Sequence, residues 1–352
     1  MNASFGKRLK SARKMAGLSL ASLAERTGNM ITRQAINKYE KGLMNPSSEV
    51  LLALSSALEI KPDYFFKDPN VSLLNMEFRK KSKLSVKESE SIKHRTLDFL
   101  ERYIEIEDIL QDQAIFINPI PDDLRIVTSY ECVEIAADKL RESWVLGVAP
   151  LYNLVELVED QGVRIYEIET SDEFDGISAW VDDTPVIAVN LKNNLVRRRF
   201  TIAHELGHIL LEFEDEQDNR GREKLCHAFA GAFLLPRHVI FSELGGERRS
   251  KIAVLELEKI KEIYGISIQA IMIRIYKLGI VSDSTYRRFW VMVNVRGWKK
   301  NEPGVYHGKE RASRFKQLVY RAVAEEIITF SKAADFLNVP LSNFRKEFLV
   351  AA

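Results

Sequence analysis

Two histidines four residues apart, with a glutamate beside the first, are the most chemically specific feature of this sequence. They sit in RRRFTIAHELGHILLEF, where His204 and His208 are one helical turn apart, so their imidazoles leave the same helix face and can share one ion. Glu205 is placed to reach a water on that ion and to act as general base. A hydrolytic zinc site takes three protein ligands and leaves a fourth position to water. Glu223 is the favoured third ligand, because it opens a second apolar helix, EKLCHAFAGAFLLP, that can pack antiparallel to the first. Cys226 and His227 follow at i+3 and i+4 on the same face, and spacing alone leaves them as alternative ligands. Nitrogen and oxygen ligands of this kind suit Zn²⁺, with Mn²⁺ as an alternative occupant. A tetrahedral intermediate would need a further donor, for which Tyr166, Arg237 and His238 qualify by residue type.

A second group of residues has the chemistry of base reading. In LSLASLAERTGNMITRQAINKYEKG, Ser19 is the expected cap of one helix and Thr32 of the next, whose exposed face carries Arg33, Gln34, Asn37 and Lys38. Arg, Gln and Asn make bidentate contacts to G or A edges, while Lys38 and Lys41 suit phosphates. The partner expected for such a face is a double-stranded DNA operator. The alternative is a small helical bundle that docks on protein.

These groups need elements to hold them. Phe5, Leu9 and Ala12, then Leu20, Leu23 and Ala24, then Ile36, then Val50, Leu51 and Leu54 recur at helical spacing, with breaks at Gly17, Gly28, Gly42 and Pro62, which predicts five short helices. A polar, lysine-rich stretch from Asp68 to Leu84 reads as a linker. The helix expected from Val86 to Gln111 carries Ile92, Thr96, Phe99, Tyr103, Ile106 and Leu110 as a seam that either docks on its own protein or pairs with a second copy. Helices at 130–143 and 151–159 precede β-type runs at 163–168, 177–181 and 186–189, with Asn190 near the sheet's end either beside extended substrate or as a buried turn residue. Strands followed by helices argue for an α+β domain with a small sheet. Residues 252–280 read as helical, and near the end Ser331 is the expected cap of a helix broken at Asn338-Val339-Pro340.

Size and charge bound the classes. A chain of 352 residues, 46% hydrophobic and 29% charged, should fold into two or three globular domains. Two cysteines give no disulfide framework, and no apolar run suits a membrane span or a secretory signal, so the expectation is a cytoplasmic protein without membrane contact. The net charge of +1 hides basic ends: residues 1–67 hold 11 Lys or Arg against 5 acids, and residues 287–352 hold 13 against 6. The expected division is 1–67 for the reading helices, 68–129 for linker and amphipathic helix, 130–285 for the histidine motif, and 286–352 for a basic, mainly helical region.

About 62 N-terminal residues resemble the Cro/cI (xenobiotic-response-element) type of helix-turn-helix through LAERTG, Ile36 and the Tyr39-Glu40-Lys41-Gly42 ending, with a turn longer by Asn29 and Met30. Residues 145–240 resemble the ImmA/IrrE metallopeptidases through DGISAW, PVIAVN, RRRFTIAHELGH and FAGAFLLP. The second resemblance implies a zincin-like fold of gluzincin type, with His204, His208 and Glu223 as ligands and Glu205 as general base. It places His227 where the family usually has a small Asn or Asp, behind the ligands together with Cys226. Together the resemblances imply a multidomain DNA-binding transcriptional regulator with a metal-dependent endopeptidase that cleaves a repressor or antitoxin-like protein, or itself; a homodimer is a further expectation, because one small helix-turn-helix with few base contacts rarely gives enough specificity alone. The rival readings are a non-proteolytic transcription factor or antitoxin whose protease-like domain senses a ligand, metal or partner, and a hydrolase of small amides.

Overall fold

The computed structural model describes residues 2–67, 84–214 and 217–351, so the expected linker at 68–84 lies almost wholly outside the described residues. The chain divides into two compact units, Met1–Gln113 with Phe315–Ala352, and Ala114–Arg314.

Unit one begins with α1 (Asn2–Met15), α2 (Leu20–Arg26), α3 (Arg33–Glu40) and α4 (Ser48–Leu58), followed by a 3₁₀ turn at Pro62–Phe66 where a fifth helix was expected. The starts of α2, α3 and α4 are set by Ser19, Thr32 and Ser47, whose hydroxyls accept the amides of Ser22, Ala35 and Val50. Leu9, Leu23, Ile36, Leu54 and Phe65 are fully buried and form the core. A Cβ on Gly6 would stand 2.6 Å from the Glu40 carbonyl oxygen, so glycine is what lets α1 and α3 lie this close. Arg13 then clamps Glu40 with two bonds of 2.5 and 2.8 Å. The long turn is absorbed locally: Asn29 adopts a left-handed φ of 60°, Met30 points to solvent, and Ile31 returns to the core. Helix α5 (Val86–Leu110) lies on α1 through Ser91 to the Met15 carbonyl at 2.7 Å and Arg8 to Glu101 at 2.5 Å.

Unit two runs through α6 (Asp122–Arg125), α7 (Tyr130–Ser143), α8 (Leu154–Asp160), β1 (Arg164–Ile168), β2 (Gly176–Val181), β3 (Thr184–Asn190), α9 (Leu195–Leu210), α10 (Asn219–Leu234), α11 (Arg237–Glu243), α12 (Val254–Tyr264), α13 (Ile268–Lys277) and α14 (Asp283–Val295). The expected long helical run at 252–280 is interrupted where Gly265 turns with a φ of 64°. The sheet order is β1-β3-β2, with β1 parallel and β2 antiparallel to β3. Helix α9 lies on β2 and β3 and against α10. Buried arginines hold this layer. Arg199 of α9 pairs with Glu310 and donates to the Leu151 carbonyl at 2.8 Å. Arg141 of α7 donates to the Phe233 carbonyl of α10, and Arg274 of α13 pairs with Glu134 of α7 at 2.5 and 2.8 Å. Asn190 is fully buried and donates to the Ser171 and Phe174 carbonyls, so it pins the loop before β2 and is not exposed for an extended substrate.

The chain returns to unit one as α15 (Arg314–Ala324), α16 (Phe330–Leu337) and α17 (Leu341–Ala351). Thr329 caps α16, and the expected cap Ser331 falls inside the helix, because the Thr329 hydroxyl is the one that meets a free amide, that of Lys332. The Phe315 ring lies 5.3 Å from Phe99 and 5.2 Å from Tyr103. Lys332 pairs with Glu105, and Arg321 pairs with Asp112 at 2.8 Å. The seam of α5 is therefore covered inside its own unit: Ile92, Thr96, Phe99, Tyr103 and Ile106 are all buried.

Two buried groups give the units opposite responses to pH. His94, packed between α5 and α1 with Nδ1 2.9 Å from Ser11 Oγ, is lowered to about 4 by burial, with Lys93, Lys14 and Lys10 adding to the effect and Glu90 opposing it. The unfolded chain takes up a proton near 6.5 that the folded unit refuses. This contribution is thus full above that value and is lost as pH falls toward 4. Glu159, whose Oε2 accepts the Ser313 amide, is raised to about 7 by burial. Its contribution is full below 4.5 and is lost as pH rises through 7. Each shift corresponds to on the order of 3 kcal/mol at most. Hydrogen exchange between about pH 7.5 and 5.5 should show protection weakening around α1 and α5 and strengthening around α8 and β1. His94→Gln and Glu159→Gln should each flatten the response of their own unit; dependences unchanged by both substitutions would contradict this account.

Candidate metal centre

Helix α9 starts where the Asn194 side chain accepts the Arg197 amide, and it is buried along most of its length between the sheet and α10. That burial fixes His204 and His208, whose rings stand edge to face with centroids 4.8 Å apart. Helix α10, capped by Asp218, brings Glu223 across to them. Glu223 Oε1 lies 3.1 Å from His208 Nε2, and Oε2 lies 3.2 Å from His204 Nε2. One ligand atom from each of the three residues falls within 4.8 Å of the others. His204 is 4% exposed, yet neither of its ring nitrogens has a hydrogen-bond partner, although a carboxylate oxygen is near. An unsatisfied buried nitrogen is expensive. Two imidazoles and a carboxylate converging, with both nitrogens of one buried imidazole unsatisfied, is the arrangement expected of ligands around a shared cation, and the set fits zinc. His204 first and His208 second hold the Glu223 carboxyl well below the usual carboxylate range.

The α9–α10 approach depends on Gly207. A Cβ there would stand 3.0 Å from the Phe229 ring, and 3.6 Å from the Cα of Cys226. The two alternatives that spacing left open sit in different surroundings. Cys226 is buried behind the cluster with Sγ 3.1 Å from His208 Nδ1, a partner for the far side of that ring. His227 is exposed, with Nδ1 2.6 Å from the Glu223 carbonyl oxygen and its ring 4.2 Å from that of His204.

Glu205 is 2% exposed and points toward the sheet, where its Oε2 accepts both the Ser178 amide and hydroxyl, each at 2.9 Å. Ser178 belongs to β2, the edge strand, and was not singled out by sequence reasoning. It lies inside DGISAW, but a serine in a strand carries no spacing signal. Of the three suggested oxyanion donors, Arg237 is engaged with Glu131 at 3.0 and 3.1 Å, and His238 is exposed near Asp138. Tyr166 lies on β1, the other edge of the sheet.

On the reading helix α3, Thr32, Arg33, Gln34 and Lys38 are exposed and Asn37 is half-buried, while Ile36 and Tyr39 face the core. Polar positions therefore share one outward face.

Residues 9–65 match the family described as Helix-turn-helix, and residues 158–276 match the IrrE N-terminal-like domain. The chain thus carries a Cro/cI-type helix-turn-helix followed by an IrrE/ImmA-like domain, and the histidine–glutamate cluster lies within the second. Two uncharacterized HTH-type transcriptional regulators of Sinorhizobium fredii, y4aM and y4wC, are 40% identical over 63 residues and 35% identical over 68. Those stretches cover 18% and 19% of this chain and 43% and 46% of the relatives, so the chain spans less than half the length of each. The solved structure of Bacillus thuringiensis PlcR in complex with the peptide PapR7 and DNA aligns over 98% of this chain and 99% of that one. At 13% identity and a TM-score of 0.18 that likeness carries no argument.

The geometry around His208 gives a direct test. Cys226→Ala removes the partner of Nδ1 and is expected to weaken zinc binding about 10- to 100-fold, while Cys226→Ser keeps a polar partner and recovers most of it. Chelator competition measures both. Equal affinities in the two variants and the parent would show that Cys226 only fills space.

Proposed function

We propose that this protein is a DNA-binding transcriptional regulator whose second unit is a zinc-dependent endopeptidase, acting on a repressor or antitoxin-like protein or on its own chain. The observation that carries the reading is the convergence of buried His204 and His208 with half-buried Glu223 beside a fixed Glu205. His204 and His208 would hold the ion through Nε2 and Glu223 through its carboxylate. Bound there, zinc supplies a Lewis acid and a water with its pKa lowered to about 7. The chain supplies the proton traffic. Ser178 fixes one oxygen of Glu205, which limits the carboxylate to one orientation, and Glu205 takes the proton from the water and returns it to the leaving amine. Burial of both histidines keeps their rings from turning away.

For unit one, the reading places α3 in the major groove of a double-stranded operator, with Arg33, Gln34 and Asn37 at base edges and Lys38 at phosphate. A homodimer on a two-fold operator remains part of the proposal, but its contacts would come from surfaces other than the covered seam of α5. Among the described residues no single helix is long and apolar enough to cross a membrane, in keeping with a regulator working in the cytoplasm.

Glu205→Gln is expected to retain about one zinc per chain and to lose cleavage of a diverse peptide library and of the chain itself, followed by mass spectrometry. Cleavage surviving in that variant would sink the mechanism, and zinc binding without cleavage by the parent would favour a sensor. On fragments of the protein's own promoter, Gln34→Ala should relax base preference by about 1 to 3 kcal/mol, whereas Lys38→Ala should weaken binding to all sequences alike. Salt-independent retention, or none, would turn the assignment of α3 toward protein docking.

A further inference from the structure

Beyond α14, unit two ends in a strap without helix or strand, and its charges are sorted by side. From Arg296 to Ser313 there are five Lys or Arg and two acids, Glu302 and Glu310. Both acids turn inward. Glu302 pairs with Lys261 at 3.0 Å and accepts the amide of Ile268, and Glu310 pairs with fully buried Arg199 and accepts the amide of Val155. Between them Tyr306 is 9% exposed, with Arg199 over its ring at 4.8 Å. Residues 302, 306 and 310 thus nail the strap to α9, α12 and α13 and to the start of α8. At the turn leading into it, the Trp298 carbonyl accepts the Gln269 amide, and Arg296 lies over the Trp298 ring at 5.0 Å. The cations Arg296, Lys299, Lys300, Lys309 and Arg311 are all exposed.

We infer that this strap is a second nucleic-acid contact, one that holds the phosphate backbone of double-stranded DNA without reading sequence. A surface whose own acids are both held inward, with Arg311 alone of its cations set, among the described residues, against a carboxylate, that of Glu167, presents a net positive field. Five of its exposed groups are cations, which suits phosphates, and Val305 is its one exposed aliphatic side chain, too little for the apolar pocket that anchors a protein partner. The carboxylates that bind the strap inward also keep it ordered, so little conformational freedom is left to lose when a polyanion is bound. The chain already carries a DNA-reading fold in unit one, and a contact in unit two on the same duplex would raise the effective concentration of each for the other.

This inference rests on the reading that the protein works on DNA, but not on peptidase activity. The triple variant Lys299→Gln, Lys300→Gln, Lys309→Gln changes exposed positions only, so melting temperature and zinc content should match the parent. On a random-sequence duplex, which gives α3 nothing to read, the logarithm of affinity should fall less steeply with the logarithm of salt, by about 0.9 for each phosphate contact removed, or a total near 2 to 3. The same drop should appear when the triple is placed on Arg33→Ala, Lys38→Ala, which separates the strap from the reading helix. If only the double variant matters, unit one alone binds DNA and the strap assignment fails. An unchanged salt slope overturns it as well, and a variant that loses binding to polyglutamate while its DNA slope stays unchanged points instead to an acidic protein.

Discussion

The close contact between α9 and α10 across Gly207 is the constraint from which the candidate chemistry follows. Two histidines on one helix turn define a line but not a cavity. Only when α10 comes near enough for Glu223 to meet both Nε2 atoms is a three-sided cation site formed, and a methyl on Gly207 would press on Phe229 at that point. The same approach brings Cys226 behind His208. One small residue therefore controls both the ligands and the group that supports one of them.

Around these two helices unit two is braced by buried arginines that tie each of them to other elements. Arg199, Arg141 and Arg274 each answer main-chain carbonyls that helix ends and loops leave exposed, and two of them also neutralise a buried carboxylate. Breaking one partner of such a pair leaves an uncompensated buried charge, costing about 3 to 5 kcal/mol. Because Arg199 is on the same helix as His204 and reaches the strap through Glu310, the metal cluster and the basic strap share one rigid support within their unit. In unit one, α5 has the corresponding part, with its apolar seam filled by α1 and by Phe315.

Much of the candidate site was legible because helix geometry turns spacing into direction. The i, i+4 histidines and the glutamate at the start of the next apolar helix needed no knowledge of tertiary contacts, and helix α7 and the three strands were placed within two residues or so of their observed ends. What remained hidden depends on contacts distant in sequence. Ser178 meets Glu205 from 27 residues away, and Glu310 meets Arg199 across 111. Asn190 had two plausible roles until the loop wrapped around its side chain. Ser331 lost the cap to Thr329 because both positions carry a hydroxyl and only backbone conformation separates them. The seam of α5 gave its apolar face but not its occupant, since a heptad-like spacing is the same whether the neighbour is another chain or the return of this one.

The central claim is that His204, His208 and Glu223 form one cation site with Cys226 outside it. X-ray absorption at the zinc edge of the metal-loaded protein tests that most directly. The account predicts a first shell of nitrogen and oxygen at about 2.0 to 2.2 Å with two imidazoles and no sulfur. A zinc–sulfur distance near 2.3 Å would place Cys226 in the ligand set and contradict it.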